Sequence, residues 1–284
     1  MREDDRSAIV AKTDHESDQK QVDKFFRAQA EFWRDIYSRN DVLGIVNRQR
    51  QAAALGYVDE LSLPKGSRVL EIGCGAGYLA IALAQRGFAV QAVDHAPEMI
   101  ELARRHVKQA GFDDRVHTSI EDAHKLSFED ESFDLVVSLG VINWLYDLKK
   151  ALAEITRILK RGGYAVLNSA RAHALLNPYG IPAFESTLES MKHLVERGFP
   201  DNRPVVAPSH MYLPKEINRY LQEANLTVIK STNVGFGPFT IFNHGLFSKE
   251  VEAKIQQKLQ KYADNGYPVI RSAGEQYIVM ARKK

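Results

Sequence analysis

Between residues 67 and 168, short apolar runs alternate with stretches in which apolar residues recur at helical spacing. Ser67–Ile72, Ala89–Val93, Val116–Ile120, Phe133–Leu139 and Tyr164–Asn168 are rich in Val, Ile and Leu and have strand length. Leu79–Arg86, His95–Ala110 and Tyr146–Leu159 read as the intervening helices, with Pro97 at a helix start and Lys160-Arg161-Gly162-Gly163 as a glycine stop. Such alternation with short connections predicts parallel βαβ units, hence an α/β, Rossmann-like core over residues 63–169.

The flanks break this rhythm. Residues 1–19 are polar and unpatterned and predict a disordered tail. Over 20–62, helical spacing from Gln21 to Tyr37 and from Leu43 to Leu61 predicts a helical lid placed before the first strand. Residues 170–213 are proline-bearing with a helix-like stretch, Phe184–Arg197, and predict an insertion over the site. From 214 to 284, a helix (Pro214–Ala224) and two strands (Leu226–Thr232 and Glu275–Ala281) return to the core. Between those strands lies a second lid insertion, 235–273, with a helix from Ser248 to Tyr262.

The chemistry is announced at the end of the first strand, in Val69-Leu70-Glu71-Ile72-Gly73-Cys74-Gly75-Ala76-Gly77-Tyr78. An apolar strand meets a glycine-rich turn that opens directly into a helix, so a ligand can approach the backbone beside unpaired N–H groups. Gly75-Ala76-Gly77-Tyr78-Leu79-Ala80 fits a dinucleotide fingerprint, G-x-G-x-x-G/A. A second reading rests on Glu71, which makes the pattern E-x-G-x-G-x-G. A carboxylate at that place attracts a cationic ligand and repels a pyrophosphate. Asp94, about 20 residues beyond the first glycine, has the spacing of an acid that meets ribose hydroxyls.

The ordered series resembles the class I methyltransferases that use S-adenosylmethionine (AdoMet), in their type-11, small-molecule branch. The resemblance implies AdoMet as cofactor and S-adenosylhomocysteine as product, and a seven-stranded sheet with an antiparallel last strand. It assigns cofactor contacts to Glu71, Gly73, Cys74, Gly75 and Gly77, to Asp94 on the ribose with His95 and Met99 beside it, and to Glu121-Asp122-Ala123 near the adenine amino group. Leu139 and Gly140 fall at the ligand end of the fourth strand, and Lys160-Arg161-Gly162-Gly163 stands where the family has R-P-G-G. Leu126-Ser127-Phe128 occupies the place of L-P-F.

Other branches fit poorly. The fourth strand continues Ser138-Leu139-Gly140-Val141-Ile142-Asn143-Trp144, without the [DN]-P-P-[FY] grip on exocyclic amines and without a carboxylate cluster for Mg²⁺. No histidine pair has metal-ligand spacing, so no metal is predicted. Methyl transfer from a sulfonium chiefly requires alignment and exclusion of water, with a base only where the acceptor must lose a proton. His244, His173, His210 and Tyr37 are the candidate bases. Trp33, Tyr37, Asn143, Trp144 and Phe239 are the candidate acceptor-pocket residues, closing one mostly apolar chamber with the lid segments.

Composition narrows the partners. Net charge is +2, from 38 basic and 36 acidic residues spread without a basic block, which argues against nucleic acid. The single cysteine, Cys74, excludes an intrachain disulfide and suits a cytoplasmic protein. No apolar run approaches the ~20 residues of a membrane helix, and Met1–Arg6 does not read as a secretory signal. Three alternatives stand beside the small-molecule methyltransferase: an NAD(P)-dependent oxidoreductase, a non-catalytic binding module, and a lipid or prenyl methyltransferase at a membrane surface. The last rests on Phe236, Phe239, Phe242 and Phe247 ahead of Lys249, Lys254, Lys258 and Lys261, diluted by Glu250 and Glu252.

Overall fold

The computed structural model describes residues 15–170, 209–237, 240–241, 244–245 and 247–284. Seven strands form one sheet: β1 (Arg68–Ile72), β2 (Ala89–Asp94), β3 (Val116–Ile120), β4 (Phe133–Ser138), β5 (Leu159–Ala170), β6 (Leu226–Val234) and β7 (Gln276–Lys283). Their order is β3-β2-β1-β4-β5-β7-β6. The first five pair in parallel, and β7 runs antiparallel to both β5 and β6. This is the sheet that the resemblance implies. Glu71 pairs with Ala92 on one side and Val137 on the other, so the ends of β1, β2 and β4 share one edge.

Successive side chains point to opposite faces of the sheet, and each face has its own core. Val69, Leu135 and Val137 pack under α4 (Tyr78–Gln85) and α5 (Pro97–Gln109). Leu70, Ile72 and Val136 pack under α6 (Leu148–Ile158) and α7 (Pro214–Glu223).

The N-terminal helices depart from expectation in two ways. Helix α1 (His15–Ala28) begins inside the stretch read as a tail, and Gln29 leaves helical geometry (φ −113°) before α2 (Ala30–Asp35). Residues 1–14 lie outside the described residues. The helix α3 (Val42–Glu60) is not simply a lid: Ala54, Tyr57 and Val58 belong to the core on the α4–α5 face. Its first half remains free to face the site. Asp41 caps it, accepting from the Gly44 amide at 3.1 Å.

Gly162-Gly163 does not stop α6. The helix ends at Ile158 because Leu159 turns extended and pairs with Phe133, and the glycines sit in an irregular bend within β5.

Of the two insertions, Phe184–Arg197 and Phe239 lie outside the described residues. Thr240–Ile241 pairs with His244–Gly245, followed by α8 (Lys249–Asp264) and α9 (Pro268–Arg271). The buried side of α8 carries three polar residues beside Ala263: Glu252, Gln256 and Gln260, with Gln256 Nε2 donating to Gln49 Oε1 on α3. Phe236 is buried against Ala263 of α8, so it does not serve the membrane-facing stretch it was grouped with. Among the described residues no helix is long and apolar enough to cross a membrane.

Candidate active site

Along the carboxyl edge of the sheet runs a cavity of about 420 Å³. Such edges are where open α/β sheets bind ligands. Its floor is the glycine loop. The amides of Gly73 and Cys74 both donate to the Val93 carbonyl, at 2.7 and 2.9 Å, which ties the loop to the end of β2. Gly75 takes φ +51°, and a Cβ built there would meet nothing within 4 Å. A side chain would strain this backbone and project into open space, so glycine keeps the approach clear. Gly77 is the residue preceding α4 and does not line the cavity.

Two carboxyl groups stand at this floor. Asp94 accepts from the Gly75 amide (2.9 Å) and the Ala96 amide (3.0 Å), one on each oxygen. Burial raises its pKa above the ordinary carboxylate range, while those amides pull the other way. Glu71 is 3% exposed, and its Oε2 has no hydrogen-bond partner among the described residues. Burial, and then the neighbouring charge of Asp94, push its pKa well above the usual range. A cation beside this pair would favour its ionised form, whereas the pyrophosphate of a dinucleotide would oppose it.

The segment Glu121–His124 at the end of β3 is braced from beneath. Asp122 Oδ1 receives the His124 amide (2.9 Å) and lies 2.7 Å from His124 Nδ1; that contact chiefly holds the Asp122 carboxyl below its usual range. His124 is buried and stacks on Tyr146 with ring centroids 3.6 Å apart. Sequence reasoning passed over His124 because a lone histidine carries no spacing signal. Glu121 lines the cavity but ties a turn, accepting from the Ser127 hydroxyl at 2.5 Å. Ala123, His95, Met99, Leu139 and Gly140 also line the cavity.

The roof comes from α1 and α2. Asp23 reaches His95 Nδ1 at 3.0 Å and Arg27 meets Glu98 at 2.8 Å, which fastens α1 over the start of α5. Trp144 lies against Phe25 (5.4 Å, stacked) and Phe26 (5.2 Å, edge-on), and Phe26 also meets Trp33. Trp33, Tyr37 and Trp144 all line the cavity. The buried indole N–H of Trp33 has no partner among the described residues.

Other expectations need correction. Asn143 lines the cavity, but its amide is committed to structure: Oδ1 accepts from the Ala170 amide (2.7 Å), and Nδ2 donates to the Ala170 and His210 carbonyls. His210 is exposed, its ring is turned toward Tyr212, and it does not line the cavity, so it lacks the position a base requires. His173 and the side chain of His244 lie outside the described residues.

Two charged residues at the far end carried no sequence signal. Arg50, on α3, has a buried Nε without a partner among the described residues, and it donates to Asn47 Oδ1 at 2.6 Å. A Cβ at Gly140 would come within 2.8 Å of its Nη1, which places the guanidinium at the end of β4. Glu275, just before β7, is also buried in the cavity wall, and its Oε1 has no partner among the described residues.

Residues 70–167 match the family model described as "Methyltransferase domain". The chain is 27% identical over 240 residues to a ubiquinone biosynthesis O-methyltransferase of Pseudomonas aeruginosa, covering 84% of this chain and 95% of that one. With its counterpart in Paracidovorax citrulli it shares 26% over 215 residues, covering 76% and 84%. The solved magnesium protoporphyrin IX methyltransferase from Synechocystis, with bound S-adenosylhomocysteine, superposes with TM-score 0.62 at 16% identity, covering 94% of this chain and all (100%) of that one. That last likeness speaks for the fold.

Proposed function

Because the chain belongs to the class I, AdoMet-dependent methyltransferases, we propose that it methylates a hydroxyl oxygen of a small, largely apolar acceptor held in the same cavity. The observation that carries this reading is the continuity of that cavity from the glycine loop and Asp94 to the aromatic wall of Trp33 and Trp144. A shared, roofed space suits a small molecule. The hydroxyl acceptor is favoured by the O-methyltransferases of ubiquinone biosynthesis to which the chain is similar.

The residues fit the cofactor. Asp94 would take the ribose hydroxyls with the lone pairs its amide bonds leave, and Asp122, steadied by His124, would meet the adenine amino group. The orphaned Glu71 oxygen would face the cationic end, and Arg50 the methionine carboxylate. Bound AdoMet supplies an activated methyl group. The chain's own part is to orient the reactants and to exclude the water that would compete as acceptor, through the aromatic roof. The lone thiol, Cys74, buried within the loop, suits a reducing, cytoplasmic setting.

Incubation with methyl-labelled AdoMet and a small-metabolite extract, read by mass spectrometry, tests this. Labelled methyl ethers are expected. Label found only on amines, proteins or nucleic acids would contradict it.

A further inference from the structure

Glu275 occupies a fixed place at the acceptor end. Its neighbour Gln276 pairs with Ala170 at the end of β5 and accepts from Asn168 Nδ2 at 3.0 Å, while Asn168 Oδ1 accepts from the Gly140 amide at 3.0 Å. These bonds lock the ends of β4, β5 and β7 into one rim. At a strand spacing of ~4.8 Å, β7 lies about 10 Å from β4 and about 14 Å from β1, which bears Glu71. That separation leaves room for a small acceptor between the cofactor half of the cavity and Glu275.

The side chain is 8% exposed. Its carboxyl accepts from the Gly237 amide, yet Oε1 has no partner among the described residues. A buried carboxyl oxygen without a donor is costly, and it calls for a ligand that completes it. Arg50 from α3, Tyr37 from the roof, and Glu71 and Asp94 across the floor share the cavity with Glu275, as do Asp23, Cys74, Tyr78, His95, Glu121, Asp122 and His124.

We propose that Glu275 accepts the hydroxyl proton of the acceptor, which makes alcohols or phenols the substrate class. This deepens the hydroxyl reading above and rests on it. As the hydroxyl oxygen bonds to the methyl carbon, the carbon–sulfur bond breaks with its electron pair left on sulfur, and the proton passes to Glu275 Oε1. The Gly237 amide holds the carboxyl during the transfer. Burial lifts Glu275 to about 8, so its ionised form is a stronger base than an exposed carboxylate and better matched to a phenol. Activity therefore rises with pH up to about 8 and then levels.

The test uses the full chain saturated with S-adenosylhomocysteine and labelled with carbon-13 at glutamate Cδ. One resonance is expected to titrate near pH 8, to vanish in Glu275→Gln, and to move when 4-nitrophenol is added as the probe. Titration in the ordinary range, or no response to the phenol, would overturn the proposal. Alongside it, turnover of methyl-labelled AdoMet is scored on a panel of phenols and anilines. Ethers formed with kcat lowered at least ~100-fold in Glu275→Gln, KM for AdoMet unchanged and the pH 8 limb lost, would support it. Ethers formed equally well by Glu275→Gln would overturn the proposal alone. Methylated anilines without ethers would overturn the hydroxyl reading with it.

Discussion

The carboxylate of Asp94 accepts the amide of Gly75 at 2.9 Å, across the gap between the end of β2 and the glycine loop. One residue thus shapes the loop and presents an acid to whatever lies above it. Replacing Asp94 with Ala removes charge-assisted bonds worth roughly 1.5–3 kcal/mol each. AdoMet binding is expected to weaken at least tenfold by calorimetry. Unchanged affinity would place the ribose elsewhere.

Glu71 makes a prediction about protons. Burial and the charge of Asp94 keep its carboxyl protonated well above the usual range, and a cation placed beside it favours the ionised form. Binding of AdoMet should therefore be accompanied by release of a proton. Calorimetry in two buffers of different ionisation enthalpy should give different apparent enthalpies, and Glu71→Gln should remove the difference. Identical enthalpies for the unmodified chain would show that no cation approaches Glu71.

Arg50 separates the two ends of the cofactor. With its guanidinium beside Gly140, Arg50→Met should weaken S-adenosylhomocysteine binding about tenfold or more, and leave adenosine, which lacks the carboxylate, within twofold. Equal losses for both ligands would assign Arg50 to the framework.

Glu275 couples the site to stability. Its folded-state value of about 8 lies above the ordinary 4.5, so its contribution is intact below about pH 4.5 and is lost as pH rises through 8. At ~1.36 kcal/mol per tenfold displacement, the penalty approaches at most about 4–5 kcal/mol. Urea denaturation should show Glu275→Gln gaining on the unmodified chain between pH 5 and pH 9. A difference that does not vary with pH would mean that the carboxyl is solvated.

Much of the cavity floor was legible because its signals are local. The step from β1 through Gly73, Gly75 and Gly77 into α4 lies within a dozen or so residues, and Asp94 follows at a characteristic interval. The far end of the cavity is assembled from distant pieces. Arg50 sits in a helix whose other end is core, and Glu275 precedes an apolar strand, where a charged residue usually marks a solvated end. Nothing local distinguishes either from a surface charge. Asn143 lines the cavity at a strand's ligand end, as its position suggested, while its amide joins β5 to the segment at His210, a bond that no local pattern announces.

The chain's two tryptophans, Trp33 and Trp144, both line the cavity, so intrinsic fluorescence reports directly on whether the adenosyl ligand enters it. Titration with S-adenosylhomocysteine should give a saturable change with a micromolar midpoint, about −8 kcal/mol. A saturable change with NADH and none with S-adenosylhomocysteine would contradict the account.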